Sequence, residues 1–151
     1  MQQLTKKSAV YALGNFDGVH RGHQALIAAA RDIAVPQGLL VVALTFAPHP
    51  RRFFAPQLPP FLLTDAVQKT ELLRAAGADE VLTLPFDAPL AAMEAEQFAL
   101  TILWEQCQAG AVVAGEDFRF GHARGGDMAR LAAWLAPHGI RVQAQAPVRD
   151  G

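Results

Sequence analysis

Five apolar, strand-like runs begin near Ala9, Leu39, Asp79, Gly110 and Ile140, and each gap between them is long enough for a loop and a helix. Strands spaced in this way line up in parallel rather than through tight hairpins, with helices on both faces of the sheet and right-handed crossovers. The apolar spacing predicts helices over about 23–35, 65–76, 95–108 and 127–137. The last is bounded most clearly: Asp127 is placed as a cap, Met128, Leu131, Ala132 and Leu135 form one stripe, and Pro137 with Gly139 closes it. In the second, Asp65 and Gln68 can form a capping box and Gly77 can end the helix. The fold expected is therefore α/β, a five-stranded parallel sheet with helices on both faces, and ligands of such sheets bind beyond the strands' carboxyl ends. Histidines gather there: His20, His23, His49 and His122 follow predicted strands one, two and four, whereas His138 lies in a helix-ending turn and reads as structural.

The run Gly14-Asn-Phe-Asp-Gly-Val-His-Arg-Gly-His23 joins the first strand, Ala9 to Leu13, read as fully buried, to an alanine-rich helix with Leu26, Ile27, Ala30, Ile33 and Ala34 on one face. A helix amino end favours anions through its dipole and free N–H groups, glycines let the backbone approach, and two imidazoles three apart can donate to oxygens on one side. This is the chemistry of a phosphate site. A His-x-x-His metal pair and a purely structural turn are the alternatives. Zinc would want a third protein ligand, which no nearby Cys cluster or His-Glu-x-x-His pattern supplies. A structural turn would not need both histidines beside Asn15 and Asp17.

With 151 residues, 52% hydrophobic and 18% charged, the chain can bury one core, and a second full domain is not expected. A net charge of -1 gives no general electrostatic attraction to nucleic acid or anionic membrane, so an anionic ligand must be held locally. The single cysteine, Cys107, cannot form an intramolecular disulfide and reads as a small core residue rather than a nucleophile. No apolar run approaches the ~18 residues of a membrane span, and the amino terminus lacks a signal-peptide stretch. A cytoplasmic location is expected.

Two further segments carry chemistry. Thr45-Phe-Ala-Pro-His-Pro50-Arg-Arg-Phe-Phe54, read as following strand two, offers apolar walls with cationic edges; on its own a proline-rich surface loop weighs equally. On the same sheet edge as a phosphate turn, it would suit a flat aromatic ligand bearing a phosphate. After strand four comes Val113-Ala-Gly-Glu-Asp-Phe-Arg-Phe-Gly121-His-Ala-Arg-Gly-Gly-Asp127. There Asp117, Arg119 and Arg124 offer charge, and Phe118 and Phe120 offer stacking faces. A salt-bridged structural loop is the alternative for the charges. One phenylalanine is expected in the core and the other facing ligand, without the sequence saying which.

Taken in order, these three segments resemble the prokaryotic FAD synthetase family, whose pattern runs Gly-Asn-Phe-Asp-Gly-x-His-x-Gly-His, Thr-Phe-x-Pro-His-Pro and Gly-x-Asp-Phe-x-Phe-Gly. Leu82-Thr-Leu-Pro-Phe86 and Glu96-Gln-Phe98 are similar to family segments too. Gln68 stands where the family commonly has Glu. The resemblance implies a Rossmann-like nucleotidyltransferase fold and an FMN adenylyltransferase domain over 1–151, using ATP and FMN to make FAD and pyrophosphate, with Mg²⁺ accompanying ATP. It implies His20 and His23 as catalytic groups on the ATP phosphates, with Gly14, Asn15, Phe16, Asp17 and Gly18 shaping the nucleotide turn. Pro48, His49, Pro50, Asp117, Phe118, Arg119 and Phe120 would form the flavin side, and no residue is assigned as a metal ligand. Family sequences continue past a segment similar to Arg149-Asp-Gly151 into a Ser-Ser-Thr-x-Ile-Arg motif and usually a riboflavin kinase domain. Neither is in this sequence, so an incomplete domain is expected, with the kinase domain in the parent protein. A non-catalytic flavin or nucleotide binder, and a transferase for another phosphorylated acceptor such as a pantetheine or nicotinamide nucleotide, are the competing readings. Neither nucleic acid nor membrane is expected as a partner.

Overall fold

A computed structural model describes residues 9–16, 21–47 and 66–147. Its strands are β1 (Ala9–Leu13), β2 (Leu40–Ala47), β3 (Glu80–Pro85), β4 (Ala111–Gly115) and β5 (Arg141–Gln145). All neighbours pair in parallel, in the order β3-β2-β1-β4-β5. Strand β1 is central, with Val10 opposite Val41 on one side and Ala111 on the other. Direction reverses around β1: successive strands step outward through β2 and β3, then return to the other side with β4. The carboxyl ends of β1, β2 and β4 therefore flank the crevice where such sheets bind ligands.

The helices are α1 (Arg21–Ala34), α2 (Ala66–Ala76), α3 (Ala88–Ala92), α4 (Ala95–Gln97) and α5 (Met128–Leu135). Alternation along each strand sorts the core into two layers. Val10, Ala12, Val41, Ala43, Ala111 and Val113 face α1 and Leu73 of α2. Leu13, Leu44, Val112 and Ala114 face the opposite way, against Phe98, Leu103, Leu131 and Leu135. Helices thus cover both faces, as expected. The edge strands β3 and β5 contain no fully buried residue.

Four expectations need correction. Helix α4 runs into a π-helix, Phe98–Gln106, rather than continuing as one α-helix to residue 108. The apolar residues Phe98 and Leu103, five apart, are both buried. On an α-helix they would diverge by roughly 140°, whereas i→i+5 winding brings them to one side. Second, α3 was not expected; Asp87 caps it by accepting the Leu90 N–H at 3.0 Å, and Pro89 occupies its first turn. Third, Thr45, Phe46 and Ala47 belong to β2 itself, and Val113 to Gly115 belong to β4, so both loops begin later than the sequence suggested. Tyr11, in a strand read as fully buried, is only half-buried.

Asp127 caps α5 as expected, accepting the Arg130 N–H at 2.8 Å. Replacing Asp127 by Ala is expected to lower stability by about 1 kcal/mol, read as a shifted urea midpoint with unchanged slope. Asp65, the other proposed cap residue, lies outside the described residues. Gly77 follows the end of α2. His138 stacks on Trp104 with ring centroids 3.6 Å apart, which fits its structural reading. Cys107 is half-buried, and burial pushes its thiol up, away from nucleophilic use.

Candidate active site

The crossover from β1 to α1 carries an unusual backbone. Phe16 has a positive φ of 55°, rare for a bulky residue, and its side chain is fully buried. Its ring lies over Gly14, where an added Cβ would sit 3.2 Å from Phe16 Cζ. The same ring meets His23 edge-on, with centroids 5.1 Å apart and planes 70° apart. Gly14 therefore makes room for Phe16, and Phe16 sets the orientation of His23. His23 is half-buried in the first turn of α1, where the helix dipole favours negative charge. A ring nitrogen held there can donate to an anionic oxygen.

Beneath this turn, Lys69 is 4% exposed and Thr45 is fully buried. Lys69 Nζ donates to the Asn15 carbonyl at 2.9 Å, to Thr45 Oγ1 at 3.1 Å and to the Phe46 carbonyl at 3.4 Å. Thr45 Oγ1 itself donates to the Asn15 carbonyl at 3.1 Å. The exit of β1 is thereby bound to the last residues of β2.

Beside the turn lies a cavity of about 490 Å³ whose wall is built from Phe46, Phe86, Phe98, Phe118 and Phe120. Five of the nine phenylalanines in the sequence meet there. Phe46 approaches Phe86 and Phe98 at 6.1 and 6.3 Å, Phe98 approaches Phe120 at 5.6 Å, and Phe120 stacks on Phe118 at 5.7 Å. Leu90 and Met93 add apolar surface, while Asp117, Arg119 and Arg124 supply charge. Asn15 also lines the cavity, and its buried Oδ1 has no hydrogen-bond partner among the described residues. A flat apolar ring system with polar substituents fits such a chamber.

The loop after β4 is fixed by a single antiparallel bridge between Phe120 and Gly126, and the His122 N–H donates to the Met93 carbonyl at 2.9 Å. Of the two phenylalanines in question, Phe120 is buried at 7% exposure and contacts Trp134 edge-on, while Phe118 is half-buried; both reach the cavity. Asp117 and Arg119 are exposed at its rim. His122 lines a neighbouring groove beside α3, with Glu94 at 3.7 Å, instead of this cavity.

A family model described as FAD synthetase matches residues 2–151. The chain belongs to the FAD synthetase family. It is 36% identical over its whole length to an Escherichia coli K12 protein named bifunctional riboflavin kinase/FMN adenylyltransferase, covering 48% of that protein. A Pseudomonas fluorescens protein of the same name is 38% identical over 146 residues, or 96% of this chain and 47% of the relative. The chain thus spans about half the length of these relatives. Among solved structures, one described as a macrolide-efflux protein from Streptococcus pneumoniae superposes with a TM-score of 0.82 at 29% identity, covering 97% of this chain and 48% of that one. No helix among the described residues here is long and apolar enough to cross a membrane.

In this member of the FAD synthetase family, Gly14, Asn15, Phe16 and His23 come together at the turn, and Asp117, Phe118, Arg119 and Phe120 come together at the cavity. Asp17, Gly18, His20, Pro48, His49 and Pro50 lie outside the described residues. Asn15, expected only at the nucleotide turn, also forms part of the cavity wall. Phe46, Phe86, Phe98, Met93 and Arg124 line the cavity without having been assigned to it. Phe46, Phe86 and Phe98 stood within the sequence segments that resemble the family, so a signal was present. Lys69 carried none, because a lysine in a helical pattern reads as solvent-facing.

Proposed function

We propose that the chain is an FMN adenylyltransferase domain that joins FMN to the adenylyl group of ATP, giving FAD and pyrophosphate. The observation that carries this reading is Asn15, which belongs both to the turn at the helix amino end and to the wall of the aromatic cavity. A flavin ring in that cavity and a nucleotide triphosphate at the turn would meet across one residue. Family membership and the names of the relatives support the choice of acceptor.

An oxygen of the FMN phosphate attacks the α-phosphorus of ATP. A new P–O bond forms, the bond from the α-phosphorus to the bridging oxygen breaks, and pyrophosphate leaves with the electron pair. The nucleophile is already anionic near neutral pH, so alignment and charge stabilisation carry the catalysis rather than proton abstraction. His23, with His20, is assigned to the ATP phosphates, and Gly14, Asn15, Phe16, Asp17 and Gly18 to the shape of the nucleotide turn. Pro48, His49, Pro50, Asp117, Phe118, Arg119 and Phe120 are assigned to the flavin side, together with Phe46, Phe86 and Phe98. Among the described residues no three His, Cys, Asp or Glu side chains converge as a metal cage. Mg²⁺ is proposed to arrive on the ATP phosphates, where it would neutralise charge with mostly water and substrate ligands, because this ion seldom uses an all-protein cage. Riboflavin phosphorylation, also in the relatives' names, is assigned to sequence beyond their matched half, and the reaction is placed in the cytoplasm.

Incubation with FMN, ATP and Mg²⁺, measuring FAD and pyrophosphate together, tests the reading. Equal formation of both is expected. Saturable FMN binding with no FAD formed would make the chain a binder rather than a transferase, and faster turnover of another phosphorylated acceptor would displace FMN as substrate.

A further inference from the structure

We infer that Lys69 is a positioning residue that sets the distance between the nucleotide turn and the flavin cavity; this rests on the reading above. A lysine side chain that is 4% exposed carries a large desolvation cost unless its donors are met. The ammonium has three N–H groups, and among its partners in the described residues are the Asn15 carbonyl, Thr45 Oγ1 and the Phe46 carbonyl. All three belong to the two segments that form the site. Asn15 and Phe46 both line the cavity, and Asn15 is next to Phe16, whose ring orients His23.

Filling the core does not call for a charge at this position. A methionine on α2 could fill the same volume, but it would release both carbonyls. Among the described residues, the Asn15 carbonyl would keep the 3.1 Å bond from Thr45, and Phe46 would lose its lysine partner. The two half-sites would each keep their own walls while their separation loosened. Attack on phosphorus depends on that separation, since a misplacement of about 1 Å can cost roughly 10²-fold in rate.

The test is Lys69→Met, with Thr45→Val as a second variant that removes the bridging hydroxyl without changing side-chain shape greatly. Kd for FMN is read from flavin fluorescence, Kd for ATP by calorimetry, and kcat for FAD formation at a temperature where circular dichroism shows each variant folded. Lys69→Met is expected to lower kcat by about 10- to 100-fold while both Kd values stay within about 3-fold of wild type. Thr45→Val should lower kcat less, and the double variant should be slower than Lys69→Met, because it also removes the Thr45 bond that the Asn15 carbonyl keeps in the single variant. A kcat equal to wild type, or a loss confined to one substrate's Kd, overturns the inference. If Lys69→Met does not fold, Thr45→Val decides by the same criterion. Wild-type protein that forms no FAD would sink the adenylyltransferase reading instead, which keeps the two failures apart.

Discussion

Replacing His23 by alanine is expected to reduce kcat/KM for ATP by about 10²- to 10³-fold, the usual consequence of removing one preorganised donor from a developing charge. FMN affinity and thermal stability should stay close to wild type. The separation follows from geometry. His23 stands in the first turn of α1 with its ring edge against Phe16, and it is not among the residues lining the aromatic cavity. Its ring is half-buried, and the apolar face of α1 is held by Leu26, Ile27, Ala30, Ile33 and Ala34, none of which changes. Steady-state kinetics at varied ATP, flavin fluorescence titration and thermal melting check the three parts. Unchanged ATP kinetics would remove His23 from the phosphate site. An equal loss of FMN binding would mean that the turn and the cavity are one unit, against the placement of the two half-sites on either side of Asn15.

The topology was legible because its signals are local and repeated. Five apolar runs with helix-length gaps leave few arrangements, and the parallel sheet with helices on both faces followed. The glycine and histidine turn was legible for a similar reason, since Gly14 and His23 flank one short crossover. The cavity was only half legible. Asp117 to Phe120 are contiguous, but Phe46, Phe86 and Phe98 are spread over more than fifty residues and meet only once the strands are stacked. In sequence each looks like ordinary core. The π-helix hid Phe98 further, because Phe98 and Leu103 do not share an α-helical face. Helix α3 was missed because five residues, Ala88–Ala92, are too few for periodicity, although Asp87 and Pro89 mark its start. Lys69 was hidden for a different reason: a charged side chain is assigned to solvent by default, and only tertiary contacts reveal its acceptors.

Gly121→Ala is expected to be the most disruptive single-methyl change in the loop after β4. Gly121 has φ 82° and ψ 173°, a region of backbone space that is essentially restricted to glycine and costs about 1–3 kcal/mol for other residues. The added Cβ would also lie 2.5 Å from Ala95 Cα and 2.7 Å from Ala95 N, so the obstacle is backbone at the start of α4 and cannot rotate away. Overpacking of this kind adds about 1–3 kcal/mol. A combined loss of about 3 kcal/mol or more corresponds to a fall in Tm of roughly 6–12 °C for a domain of this size. Whatever relief the loop finds must move Phe118 and Phe120, which are its neighbours and cavity wall, so FMN affinity should fall about 10-fold or more while ATP affinity changes less. Gly125→Ala separates this mechanism from general intolerance of the loop. Gly125 has an ordinary helical φ of -72°, and its added Cβ would meet only the His122 carbonyl at 3.3 Å. Its cost should stay below about 1 kcal/mol. Equal losses at the two positions would mean that contact with Ala95 is not what holds the loop against the cavity.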